Sequence, residues 1–112
     1  MHSSGNIFFS GGGGILIVNP GGKLLARINF GNATNCAFDK DEKYLYVNNA
    51  GKEDPKIMRF NLSSLKGELF FDGKELSKKY KGSFDGLKIH SSGNIFTTGP
   101  NGILIISPKG VL

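Results

Sequence analysis

The heptapeptide His-Ser-Ser-Gly-Asn-Ile-Phe begins at His2 and returns unchanged at His90. The match runs on with drift through Gly14-Ile15-Leu16-Ile17 against Gly102-Ile103-Leu104-Ile105, then Pro20 against Pro108 and Leu24 against Leu112. In all, 15 of 23 aligned positions are identical at a separation of 88 residues. Such self-similarity marks architectures in which one small unit buries its apolar face only against a neighbour. The chain therefore reads as one repeat unit plus the opening of the next. That arrangement suits a ring or array of blades that finds partners across its ends.

Composition narrows the class. Hydrophobic residues are 38% of the 112, with nine Phe and three Tyr, which is enough apolar material for a core. Seventeen Gly in short clusters, without a period of three, point to tight turns between short strands and away from collagen or a disordered linker. The expected class is all-β. A net charge of +5 raises the question of nucleic acid, but that function gathers cations and aromatics on one face. Here the cations stand mostly singly in turns, with Lys78-Lys79-Tyr80-Lys81 the one cluster. They read as a solvated surface, with no nucleic-acid partner. The single Cys36 excludes an internal disulfide. No run of about 18 apolar residues suggests a membrane span, and Met1-His2-Ser3 does not open a signal peptide, so a soluble protein of undetermined compartment is expected.

Read in order, Gly5 to Phe9, Ile15 to Val18 and Leu24 to Phe30 are strands separated by Gly11–Gly14 and Asn19-Pro20-Gly21-Gly22. A second unit holds Thr34 to Phe38, Tyr44 to Val47, Lys56 to Phe60 and Glu68 to Phe71, with Asn48 to Pro55 as a loop. Leu76 to Tyr80 fits a helical turn or a loop equally. A third unit opens at Phe84–Ile89, continues with Asn94 to Thr98 and Ile103 to Ile106, and begins a fourth strand at Val111-Leu112. The units, 1–31, 32–82 and 83–112, hold three, four and three strands at the spacing of four-stranded propeller blades, about two and a half blades in all.

The stretch Phe84-Asp85-Gly86-Leu87-Lys88-Ile89-His90-Ser91-Ser92-Gly93-Asn94-Ile95-Phe96-Thr97-Thr98-Gly99-Pro100 resembles a motif of the gluconolactonase/regucalcin family of six-bladed β-propellers. Thr34 to Phe38 with Lys43 to Val47, and Ile57 to Leu62, resemble further strands of that family. The resemblance implies hydrolysis of a small sugar lactone at a divalent metal, Ca or Zn, held by oxygen ligands at the mouth of the channel. Such a cation prefers carboxylate and amide oxygens, polarises a lactone carbonyl and acidifies a bound water. The family's ligand and proposed general base falls on Asp85. With the family's Phe aligned on Phe38, an Asn ligand falls on Thr34, which leaves Asn35, one residue later, as the candidate. The family's Glu ligand has no counterpart here. The order in which the blade-like segments follow one another suggests a truncated, recombined or engineered fragment.

Other chemistry-bearing residues have plainer readings. An Asp before Gly is commonly a turn former, and Asn35, Asn48 and Asn49 read as loop hydrogen-bonders. His2 and His90, with their serines, read as turn residues, since no Gly-x-Ser-x-Gly elbow surrounds them. The glycines from Gly11 to Gly14 lack the Lys-Ser/Thr ending of a phosphate loop and read as a hairpin turn. Cys36 reads as a small buried side chain. Open strand edges are templates for association, so the chain is expected to partner itself. Two blades per 88 residues make a ring-like homotrimer the leading arrangement, with a strand-swapped dimer second. Function divides between a self-assembling structural module with an incomplete metal site and a lactone hydrolase reconstituted in the homo-oligomer.

Overall fold

In the computed structural model the described residues are 2–11, 14–31, 33–49, 55–79, 84–99 and 102–112. They form ten antiparallel strands in three sheets. The first sheet is β1 (Ile7–Gly11), β2 (Gly14–Val18) and β3 (Leu24–Asn29), in that order. The second is β4 (Ala33–Phe38), β5 (Tyr44–Asn49), β6 (Lys56–Asn61) and β7 (Gly67–Asp72). After a short helix α1 (Lys74–Lys79), the third holds β8 (Leu87–Ile89), β9 (Ile95–Gly99) and β10 (Gly102–Ile106). Each sheet is a meander of neighbours in sequence, the all-β propeller-blade pattern expected from the alternation of short apolar runs and turn residues.

The duplicated heptapeptide makes the same turn twice. The Gly5 and Gly93 amides donate to the carbonyls of His2 and His90 at 2.9 and 2.8 Å. Both glycines sit at φ near +90°, +88° and +92°, a conformation that costs a residue with a Cβ about 1–2 kcal/mol. Each imidazole Nδ1 then accepts from the amide of the second serine, Ser4 at 3.2 Å and Ser92 at 3.0 Å, so both histidines serve their turns. The Gly11–Gly14 cluster joins β1 to β2, whose ladder runs down to Gly11 opposite Gly14; residues 12 and 13 lie outside the described residues.

The middle sheet is apolar on both faces and carries two cores. Leu45, Val47 and Phe60 meet Ile15, Ile17 and Ile28 of the first sheet. Tyr46 and Ile57 meet Phe84, Leu87, Ile95, Leu104 and Ile106 on the side of the third. A strand buried on both faces reads as a continuous apolar run, and Tyr44-Leu45-Tyr46-Val47 is one. The sheets approach most closely where β1 meets β4 and β4 meets β8.

Two segments differ from the sequence expectation, and a third takes one of the two readings left open. Asn48 and Asn49 belong to β5 and not to a loop, because their side chains engage neighbouring groups at the strand end. Residues 50–54 of that expected loop lie outside the described residues. Val111 and Leu112 form no strand: the Ser107 amide closes a turn on the Val111 carbonyl, and two residues offer too few ladder bonds to hold a strand. The ambiguous segment after β7 is a helix, whose start is capped by the Asp72 carboxylate accepting from the Lys74 amide at 3.0 Å, with Glu75 in the first turn. Lys78 of the basic cluster is exposed and pairs with Glu75; the side chains of residues 79–81 lie outside the described set. No helix among the described residues is long and apolar enough to cross a membrane.

Leu45 is fully buried between the first and second sheets, whereas Leu69 on β7 is 54% exposed. Leu45→Ala should lower unfolding free energy by about 2–5 kcal/mol, and Leu69→Ala by less than about 0.5 kcal/mol, in chemical denaturation.

Candidate functional site

The polar centre of the structure is the side chain of Asn48, which is completely buried. Alternation along β5 places it on the same side as Tyr46, facing the third sheet, and all of its hydrogen-bonding edges meet partners. Its Oδ1 accepts the backbone N–H of Asn35 on β4 at 3.0 Å. Its Nδ2 donates to the carbonyl of Asp85 at 2.8 Å and to Thr97 Oγ1 on β9 at 3.3 Å. Thr97 Oγ1 in turn donates to the carbonyl of Gly86 at 2.8 Å. One amide group thus ties strands of two sheets and the turn that carries Asp85.

Asp85 precedes β8 in a turn pinned from both sides. Its amide donates to the Thr98 carbonyl at 3.2 Å, and the Thr98 amide returns a bond to Gly86 at 3.1 Å. The Gly86 amide donates to Thr98 Oγ1 at 2.9 Å. Every one of these contacts uses backbone at positions 85 and 86, and the carboxylate of Asp85 is left exposed. Phe84, the preceding residue, is fully buried against Phe71, which anchors the turn from the apolar side.

The structure brings the backbone of both candidate residues, Asp85 and Asn35, onto Asn48. It does not turn their side chains into a cation's coordination set. Asn35 Oδ1 accepts the Cys36 amide at 2.9 Å, and Asn48 Oδ1 is engaged by the Asn35 amide, so two of the nearby amide oxygens already serve the backbone. The Thr34 side chain lies outside the described residues. Calcium takes 6–8 oxygen ligands and zinc about four in all, and one carboxylate with two engaged amides supplies neither. Among the described residues no three of His, Cys, Asp and Glu group around a common point. The described donors taken alone therefore fall short of a divalent ion's coordination set.

Two clefts lie elsewhere. One of about 340 Å³ opens between His2, Phe8, Leu62 and Leu65. The other, of about 250 Å³, is lined by Tyr44, Arg59 and Glu68. In the latter the Glu68 carboxylate beside Arg59 pushes the guanidinium further toward the protonated state, and the Tyr44 and Phe70 rings flank it at 4.8 and 5.4 Å. Neither cleft is lined by Asp85, Asn35 or Asn48. Cys36 is half-buried against the first core, and burial pushes its thiol up. That matches the inert reading, since the thiolate is the reactive form.

In the sequence Asn48 is one of three equivalent loop asparagines, and its role emerges only from the fold. The available signal was its phase: it follows a run buried on both faces, so a strand extended by one residue must bury it.

Two outcomes follow from these contacts. Asn48→Ala strips partners from the Asn35 amide and the Asp85 carbonyl and should cost about 2–4 kcal/mol in denaturant unfolding, on the order of two unsatisfied buried groups. Iodoacetamide at pH 8 should label Cys36 several-fold more slowly in the folded chain than in urea. Because the folded thiol is raised, its contribution to stability is complete below the ordinary thiol range and is lost as pH climbs through the raised value.

No family model matches the chain. In sequence it is 29% identical over 110 residues to a gluconolactonase from Zymomonas mobilis, a match covering 87% of this chain and 29% of that protein. In structure it superposes on a gluconolactonase from Xanthomonas campestris with a TM-score of 0.73 at 20% identity, over 88% of this chain and 32% of that one. A luciferin-regenerating enzyme superposes with a TM-score of 0.66 at 20% identity, over 86% of this chain and 33% of that one. The chain thus spans about a third or less of the length of the proteins it matches. In sequence and in fold it is gluconolactonase-like, an all-β set of antiparallel β-propeller blades.

Proposed function

We propose that this chain serves chiefly as a structural module of propeller blades, of sugar-lactone-hydrolase ancestry, that assembles with itself and carries an incomplete metal site. The observation behind this reading is the use to which the polar centre is put. Asn48, Thr97 and the backbone of Asp85 and Gly86 bind one another across two sheets, which contributes to holding blades together. A catalytic cation would compete for the amide oxygens that Asn35 and Asn48 commit to backbone N–H groups.

A second reading has its own support. The likeness to a Zymomonas gluconolactonase and the exposed carboxylate on a doubly pinned turn suit a lactone hydrolase whose remaining ligands come from another copy. There Asp85 would accept the proton of the water that adds to the lactone carbonyl, after which the ring oxygen leaves and takes up a proton. Hydrolysis of gluconolactone, followed by proton release with calcium or zinc added and removed, separates the two. The structural module predicts a rate equal to buffer with metal alone. A metal-stimulated rate that disappears in Asp85→Ala, with the fold retained by circular dichroism, would establish the hydrolase instead.

A further inference from the structure

The two copies of the duplicated hairpin have nearly the same side chains in the same register, yet they bury opposite faces. Ile15 and Ile17 are 0% and 6% exposed, while their counterparts Ile103 and Ile105 are 70% and 49% exposed. The other face reverses: Ile7 is 47% exposed and its counterpart Ile95 is 1%. The first copy packs on one side of the β4–β7 sheet and the second copy on the other. Each face of this hairpin therefore already has a sheet packed on it somewhere in the chain, and each copy leaves open the face that the other covers.

We propose that a second copy of this chain covers these faces, the exposed side of β9–β10 (Phe96, Ile103, Ile105) docking on the exposed side of β1–β2 (Ile7, Phe9) of the partner, twice over, in a closed homodimer. The stacking has a direction: the Ile15 face of the first sheet meets the middle sheet, which meets the Ile95 face of the third. A partner's first sheet presents to the third sheet the same Ile95-type face that the third sheet presents to the middle one, so the stack continues with unchanged polarity. Such a head-to-tail contact gives a ring where the rotation closes and a filament where it does not. Shape favours the ring. The sheets draw together along β1, β4 and β8, so the stack is an arc, and its extents of 44 × 30 × 20 Å are those of half a disc. Two such halves make a disc about as deep, at twice 20 Å, as it is wide. Both hairpin copies stay seated in this closure. A three-copy ring built on the 88-residue period would require one copy to leave its seat at each junction.

This pairing rests on the structural-module reading only for the claim of self-assembly. Its test reads mass, whereas lactone hydrolysis reads the Asp85 site, so either can fail alone. Light scattering of the full chain across micromolar concentrations should give twice the 12.0 kDa chain mass. Ile103→Lys and Phe9→Lys alter side chains exposed in the single chain. Each should keep the circular dichroism spectrum and weaken dimerisation at least about tenfold. Mixing the two variants leaves one undamaged contact and should restore a heterodimer, held more weakly than the parent. A monomeric parent chain, a trimer, variants that dimerise like the parent, or a mixture that stays monomeric would each overturn the proposal.

Discussion

The β4–β7 sheet is apolar on both faces, and the rest of the chain takes its place from that. A single sheet with one wet face needs one partner, whereas Leu45 and Val47 on one side and Tyr46 and Ile57 on the other require two. The hairpins before and after it supply them. Neither terminal sheet has a second layer of its own against which to bury a core; each is stabilised by the middle sheet, at about 25 cal/mol per Å² of apolar surface removed from water. Order in the outer hairpins is therefore borrowed from the centre.

Apolar packing alone does not set how the third sheet is seated, because Ile, Leu and Phe contacts have no direction. Asn48 supplies direction. Its amide meets one backbone N–H, one carbonyl and one hydroxyl, and a slip of β9 along β5 would leave at least one of them unpartnered in a dry interior. Among the described residues no buried side-chain polar atom lacks a partner, so the lock is complete. The same lock fixes the Asp85 turn through its backbone, which explains how a turn with an exposed carboxylate is held firmly without that carboxylate's help.

Much of the fold was legible in the sequence because turn chemistry and strand chemistry alternate so plainly. His-Ser-Ser-Gly before Ile7 and Ile95, Asn-Pro-Gly-Gly before Leu24 and the Lys/Asp-rich turn before Tyr44 each mark a boundary found in the structure. The helix Lys74–Lys79 was half legible: Asp72 and Glu75 signal its start, but Gly73 competes with them. Asn48 was hidden because asparagine has low strand propensity and usually marks a loop, and its partner at Asp85 lies far along the chain. The geometry around Asp85 was not legible, since Asn48 reaches Asn35 across the β4–β5 pair and reaches Asp85 and Thr97 only once the third sheet packs on the second.

The repeat carries a wider lesson. Ile15 and Ile103 share their residue type and their strand position, and one is in the core while the other faces solvent. Local structure follows the heptapeptide faithfully at both sites; burial follows the neighbour. The middle sheet organises the outer two, and amide hydrogen exchange on the full chain reads that dependence. The amides of Tyr46 to Asn48 on β5 should exchange slowest, only with global unfolding, while those of β1 and β10 exchange through local opening at least about tenfold faster. Equal protection throughout β1, β2 and β5, or β1–β2 outlasting β5, would contradict it.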